Sequence, residues 1–129
     1  MKSYKFKKDE VFVIAEIGNN HEGSFEVAKE MIHAAANANV NAVKFQTMNP
    51  KLFISSNDQK RINQLMKFRL ENEEILKLAS EAKRLGLIFF STPFDLESAK
   101  FLNNIQPIFK ISSGDNNFCL LYTSPSPRD

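Results

Sequence analysis

The stretch Val13–Gly23, "VIAEIGNNHEG", decides how the rest of the chain is read. Apolar, partly β-branched residues from Val11 to Ile17 suit a strand covered on both faces in a parallel sheet, interrupted by one carboxylate, Glu16. Gly18, Asn19 and Asn20 then turn the chain, and His21-Glu22-Gly23 lead to Ser24, a residue type that caps helices. Beyond Ser24 the period changes. Ala28, Met31, Ile32 and Ala35 follow the spacing of a helix with one apolar face, which leaves Glu30, His33 and Asn37 in water.

The alternation recurs along the chain. "VNAVKFQT" predicts a second strand from about Val40 to Gln46, and Asn72 is the expected cap of a helix with Glu73 and Glu74 in its first turn. Lys83 and Arg84 suit that helix's C-terminal end, and Gly86 is placed to take the left-handed conformation just past it. "LIFFST" is a third strand ended by Pro93, Asp95 caps a helix carrying Leu96, Ala99 and Leu102, and "PIFKIS" predicts a fourth strand from about Ile108 to Ser112. Such an order implies right-handed crossovers and a parallel sheet, either doubly wound or part of a (β/α)8 barrel. The connection from Thr47 to Glu71 is too long for a plain loop, and Gln59 to Leu70 is read as an extra helix whose Lys60, Arg61, Lys67 and Arg69 face water.

Composition bounds the function classes. With 129 residues, 43% of them hydrophobic and 25% charged, the chain suits one globular domain. A net charge of +2 does not point to nucleic acid as a partner. A single cysteine, Cys119, excludes an internal disulfide, and the N-terminal apolar run is too short for a signal peptide or a membrane span, so a cytoplasmic location is expected. Residues 119–129, "CLLYTSPSPRD", carry two prolines and no helical pattern; they read as a non-native tail.

Strand ends carry the chemistry in parallel α/β proteins. Here they hold Glu16, then Lys44 and Gln46, then Ser91 and Thr92, then Lys110, Ser112 and Ser113. Alternation puts Lys44 and Gln46 on one face and Val43 and Phe45 on the other, with Glu16 on the face of Ile14. Ammonium groups beside hydroxyls suit a ligand with phosphate and carboxylate oxygens. Two other readings stay open: a structural Glu16–Lys44 pair, and a Schiff-base nucleophile at Lys44 or Lys110 as in barrel aldolases. Neither His21 nor His33 has a metal-ligand partner at helix or strand spacing.

Four motifs in order, "AEIGNNHEGS", "VKFQT", "STPF" and "KISSGD", closely resemble the N-terminal half-barrel of the sialic acid synthase family, from about Val11 to Asn117. The resemblance implies an α/β fold of the TIM (β/α)8-barrel type, of which residues 1–118 supply about the first four β/α units. It implies a phosphoenolpyruvate-dependent condensation with an N-acylated amino sugar resembling N-acetylmannosamine, giving a sialic or related nonulosonic acid and phosphate. It implies a divalent metal, Mn2+ or Mg2+, that polarises the sugar aldehyde. By the same resemblance Lys44, Thr92, Lys110 and Ser113 match positions that hold phosphoenolpyruvate, Gln46 matches a sugar contact, and Glu16 matches a carboxylate near the reacting atoms. Asp115 stands where many members have Glu, in a role that orients substrate or water. His21 is either a loop-stabilising partner or a substrate contact. The family's two metal-binding histidines, its later strands, its C-terminal antifreeze-like domain and its homodimer lie beyond this match. The chain is therefore expected to be inactive by itself, either as a piece of a synthase or as a noncatalytic product.

Overall fold

The computed structural model describes residues 4–115; the tail reading of residues 119–129 falls outside them. Three strands, β1 (Ile14–Gly18), β2 (Ala42–Thr47) and β3 (Ile88–Pro93), form a parallel sheet in the order β1-β2-β3. Glu16 stands opposite Lys44 and Gln46 opposite Thr92, with a bulge in β1 between Glu16 and Gly18. The first strand starts later than its apolar run suggests, and Val11 is 86% exposed. Ladder pairing begins only where β2 begins: the N–H of Val13 is held by the Asn41 side chain at 2.7 Å.

Helices α1 (Phe25–Asn37) and α4 (Asn72–Arg84) pack side by side on one face of the sheet. Ser24 caps α1 as expected, accepting the Val27 N–H at 3.3 Å. Ile32, Val43, Phe45, Leu78 and Phe89 fill the layer between helices and sheet, and burying each such side chain contributes about 1.5–3 kcal/mol. The cap of α4 is Glu71, one residue before the expected Asn72. Glu74 reaches back to accept the Glu71 N–H at 2.8 Å, which a first-turn glutamate can do and an asparagine cap would not require. Gly86 takes its left-handed conformation at φ +78°.

The long connection holds two helices, α2 (Pro50–Phe53) and α3 (Gln59–Phe68), of which only the second was expected. Asn49 and Asp58 cap them. After β3, Asp95 caps α5 (Leu96–Leu102) by accepting the Ser98 N–H at 2.8 Å. No helix among the described residues is long and apolar enough to cross a membrane.

The expected fourth strand is not formed: residues 108–112 are irregular and lead into a 3-10 turn at Ser113–Asp115. Its place on the free edge of β3 is partly taken by a side chain. The fully buried Gln106 amide accepts the Ser91 N–H at 2.8 Å and donates to the Ser91 carbonyl at 3.1 Å. Those are the backbone groups a fourth strand would pair with at this level.

His33 also departs from expectation. It is half-buried, and its Nε2 lies 2.7 Å from Glu81 on α4, which in turn accepts from Arg84 at 2.6 and 2.9 Å. The Arg84 guanidinium, assisted by His33, lowers the Glu81 carboxyl from its ordinary 4.5 to about 2. Because the folded value lies below the unfolded one, this contribution to stability is complete above pH 4.5 and is lost as pH falls from 4.5 toward 2. Glu81→Gln should flatten the acid limb of a pH-dependent thermal melt over that window. An unchanged acid slope in the variant would show that the pairing of Glu81 with Arg84 and His33 does not contribute to stability over that window.

Candidate active site

The parallel register builds the site from backbone geometry. Lys44 and Gln46 lie two residues apart on β2, so both project from the face of the sheet opposite the helices, while Val43 and Phe45 go into the core. Glu16 of β1 meets Lys44 across the ladder and forms an ion pair with it; Lys44 is 18% exposed and Glu16 50%. Thr92 of β3 stands beside Gln46 and is buried. The three strand ends thus place a carboxylate, an ammonium, an amide and a hydroxyl next to one another.

Gly18 lets two of these groups converge. Its φ of +60° is a left-handed value, and a methyl group there would stand 3.2 Å from Glu16 Oε1 and 3.6 Å from Gln46 Nε2. The turn that follows is tight, with Asn20 N–H donating to the Ile17 carbonyl at 3.1 Å and Glu22 N–H to the Asn19 carbonyl at 3.0 Å.

His21 lies under this turn, 2% exposed, with its ring 5.9 Å from that of Phe45. Nδ1 accepts the Gly23 N–H at 3.1 Å, which places the ring proton on Nε2, an atom without a well-formed hydrogen bond among the described residues. Burial holds the imidazole pKa below its ordinary 6.5, opposed in part by the Gly18 backbone and the charge of Glu74. Of the two roles open to His21, loop stabilisation is the one the Gly23 bond supports.

Four of the expected site residues come together: Glu16, Lys44, Gln46 and Thr92. Lys110, Ser113 and Asp115 do not join them, and among the described residues no hydrogen bond or ion pair links the two groups. Lys110 is exposed and its ammonium donates to the carbonyl of Ile111; Ser113 is exposed. Asp115 lines an open cavity of about 630 Å³ with Leu52, Phe53, Phe94 and Leu96. The missing strand accounts for this separation, since Lys110 lies in the segment that does not pair with β3 and Ser113 and Asp115 follow it. Of Glu16, Lys44 and Lys110, Lys44 is the one largely covered, and it is paired with Glu16.

Ser91 is a further correction. It points to the helix side, where its hydroxyl shares a 2.7 Å hydrogen bond with Thr47. Asp95 does more than cap a helix. Its carboxylate also accepts the Asn49 N–H at 2.7 Å and the Ser98 hydroxyl at 2.8 Å, joining the loops after β2 and β3. Residue type predicts the cap, but nothing local in the sequence points to Asn49. Among the described residues no group of three or more His, Cys, Asp or Glu side chains comes together. These residues do not fit a divalent ion by themselves.

Residues 31–123 match the NeuB family. The chain belongs to that family. It is 37% identical to the N,N'-diacetyllegionaminic acid synthase of Campylobacter jejuni, over 80% of this chain and 35% of that protein. It is 36% identical to the N-acetylneuraminate-9-phosphate synthase of Drosophila melanogaster, over 88% of this chain and 34% of that protein. The crystal structure of a Leptospira borgpetersenii N-acetylneuraminic acid synthetase in complex with citrate superposes with a TM-score of 0.80 at 35% identity, covering 87% of this chain and 40% of that one. The chain spans about a third of the length of the curated relatives it matches. Its fold is that of part of a NeuB-family (β/α)8 barrel.

An ion pair half in water is worth about 0–1 kcal/mol. Lys44→Met, which keeps the apolar stem, should therefore shift the denaturation free energy by no more than about 1 kcal/mol. A loss of several kcal/mol in a urea melt would make the Glu16–Lys44 pair a structural element and remove Lys44 from the site.

Proposed function

We propose that this chain is the N-terminal part of a NeuB-family synthase that condenses phosphoenolpyruvate with an N-acylated amino sugar, forming a nonulosonic acid and releasing phosphate. The observation that carries the reading is the register across β1, β2 and β3, which sets Glu16, Lys44, Gln46 and Thr92 side by side at the strand ends. A relative is a legionaminic acid synthase and a structural neighbour is a sialic acid synthetase, which supports the same reaction class.

On this reading the Lys44 ammonium and the Thr92 hydroxyl hold oxygens of the phosphate and carboxylate of phosphoenolpyruvate. The ammonium supplies charge and the hydroxyl a directed donor. Gln46 binds the sugar. A carbon-carbon bond forms between C3 of phosphoenolpyruvate and the aldehyde carbon, water adds at C2, and phosphate leaves with the bridging oxygen. On this reading Glu16, beside Lys44, takes the proton that the water adding at C2 loses and passes it to the former aldehyde oxygen, which becomes a hydroxyl. Lys110, Ser113 and Asp115 would join the set when the segment after Gln106 pairs with β3, as a fourth barrel strand would. The divalent ion, Mn2+ or Mg2+, and the homodimer belong to the longer protein on this reading, as does a cytoplasmic location.

Phosphate release by the full-length protein tests the assignment. Lys44→Ala and Lys110→Ala should each lower kcat/KM for phosphoenolpyruvate by about a hundredfold or more, the scale on which positioned charged groups act. Borohydride treatment with substrate present should leave no adduct on either lysine. Undiminished turnover in both variants would remove the assignment, and a trapped lysine adduct would favour the Schiff-base aldolase reading.

A further inference from the structure

Gly23 touches an element remote in sequence. It has φ +82°, and a methyl group on it would lie 2.0 Å from the Lys67 carbonyl oxygen and 3.5 Å from the Phe68 Cα, at the C-terminal end of α3. The obstacle is backbone, which cannot rotate away as a side chain does. Gly23 is also the residue whose N–H is held by His21 Nδ1, and the ring of His21 rests on Phe45 of the core. At the other end of the same turn, Gly18 sits against Glu16 and Gln46. The six residues from Gly18 to Gly23 therefore touch the site at one end and the long connection at the other.

We propose that His21 and Gly23 are positioning residues: they form the seat on which the α2–α3 connection rests, and through the turn they aim the Glu16 and Gln46 side chains at the sugar. This inference rests on the proposed synthase reading for its substrate, and on geometry alone for the seat. The reasoning is mechanical. Any group larger than hydrogen at Gly23 pushes either α3 outward or the turn inward, and an inward shift is passed to Gly18, where a single added methyl group would already crowd Glu16 Oε1 at 3.2 Å. The ladders fix all four residues at the backbone, but the side-chain atoms nearest a methyl group on Gly18 belong to Glu16 and Gln46, so those two side chains, rather than Lys44 and Thr92, feel the turn first. A displacement approaching an ångström in a positioning group costs up to about a hundredfold in rate.

Gly86 provides the control. It has a similar φ of +78°, but a methyl group there meets nothing within 4 Å, so Gly86→Ala carries the backbone strain without the collision. In the full-length protein, Gly23→Ala should lower kcat/KM for the acylated sugar about tenfold or more relative to Gly86→Ala, with KM for phosphoenolpyruvate within about twofold of wild type. Limited proteolysis should cut residues 50–70 faster in Gly23→Ala than in Gly86→Ala. Equal sugar kinetics and equal cleavage in the two variants would overturn the proposal.

If Gly23→Ala does not fold, His21 decides. Asparagine places an oxygen near the Nδ1 position and alanine does not, so His21→Asn should keep sugar kinetics close to wild type while His21→Ala repeats the sugar-side loss; identical kinetics in both would overturn the proposal. If the wild-type protein shows no condensation at all, the synthase reading fails. Faster cleavage in Gly23→Ala would then still establish the seat, and equal cleavage would remove it.

Discussion

Everything in this structure that bears on chemistry depends on one constraint, the parallel register of β2 with its two neighbours. A one-residue slip of β2 would turn Lys44 and Gln46 into the helix layer and expose Val43 and Phe45. The buried face prevents that slip, because Val43 and Phe45 are held among Ile32, Leu78 and Phe89. Core packing on one side thus specifies which polar groups meet on the other. Glu16 pairs with Lys44 because their backbones are ladder partners, and Thr92 stands beside Gln46 for the same reason.

The loops then determine how those groups are aimed. Gly18 brings the Glu16 and Gln46 side chains together, and Asp95 ties the loop after β2 to the start of α5 with three accepted hydrogen bonds. Both devices use short polar or conformationally free residues at strand ends. Residues 108–115 are held by local hydrogen bonds only among the described residues, and there the polar residues of the "KISSGD" motif stay apart from the rest. A side chain can substitute for a strand over one pair of backbone groups, as Gln106 does on Ser91, but it cannot carry Lys110 or Ser113 to the rim.

Much of this was legible in the sequence because local signals and tertiary demands agree. The apolar periods of α1 and α4, the caps Ser24 and Asp95 and the left-handed Gly86 need no distant partner to be recognised. The misread positions are those whose state depends on a distant neighbour. Val11 is apolar yet exposed because no strand lies beside it, and His33 reads as a surface residue until Glu81 is brought to it from 48 positions away. That Glu16, Lys44, Gln46 and Thr92 share one face at the strand ends was legible from alternation. The separation of Lys110, Ser113 and Asp115 was not, since strand propensity in "PIFKIS" says nothing of what occupies the edge of β3. The contact of Gly23 with Lys67 is invisible for the same reason.

The central claim is that the strand-end set serves a condensation in which phosphoenolpyruvate loses its phosphate by cleavage between carbon and oxygen. The most direct test is to give the full-length protein phosphoenolpyruvate labelled with 18O at the bridging position, together with an N-acylated amino sugar, and to follow the released phosphate by 31P NMR. The account predicts that the label leaves with the phosphate, seen as an isotope-shifted resonance. Label retained in the sugar acid, or no sugar-dependent phosphate release, would contradict it.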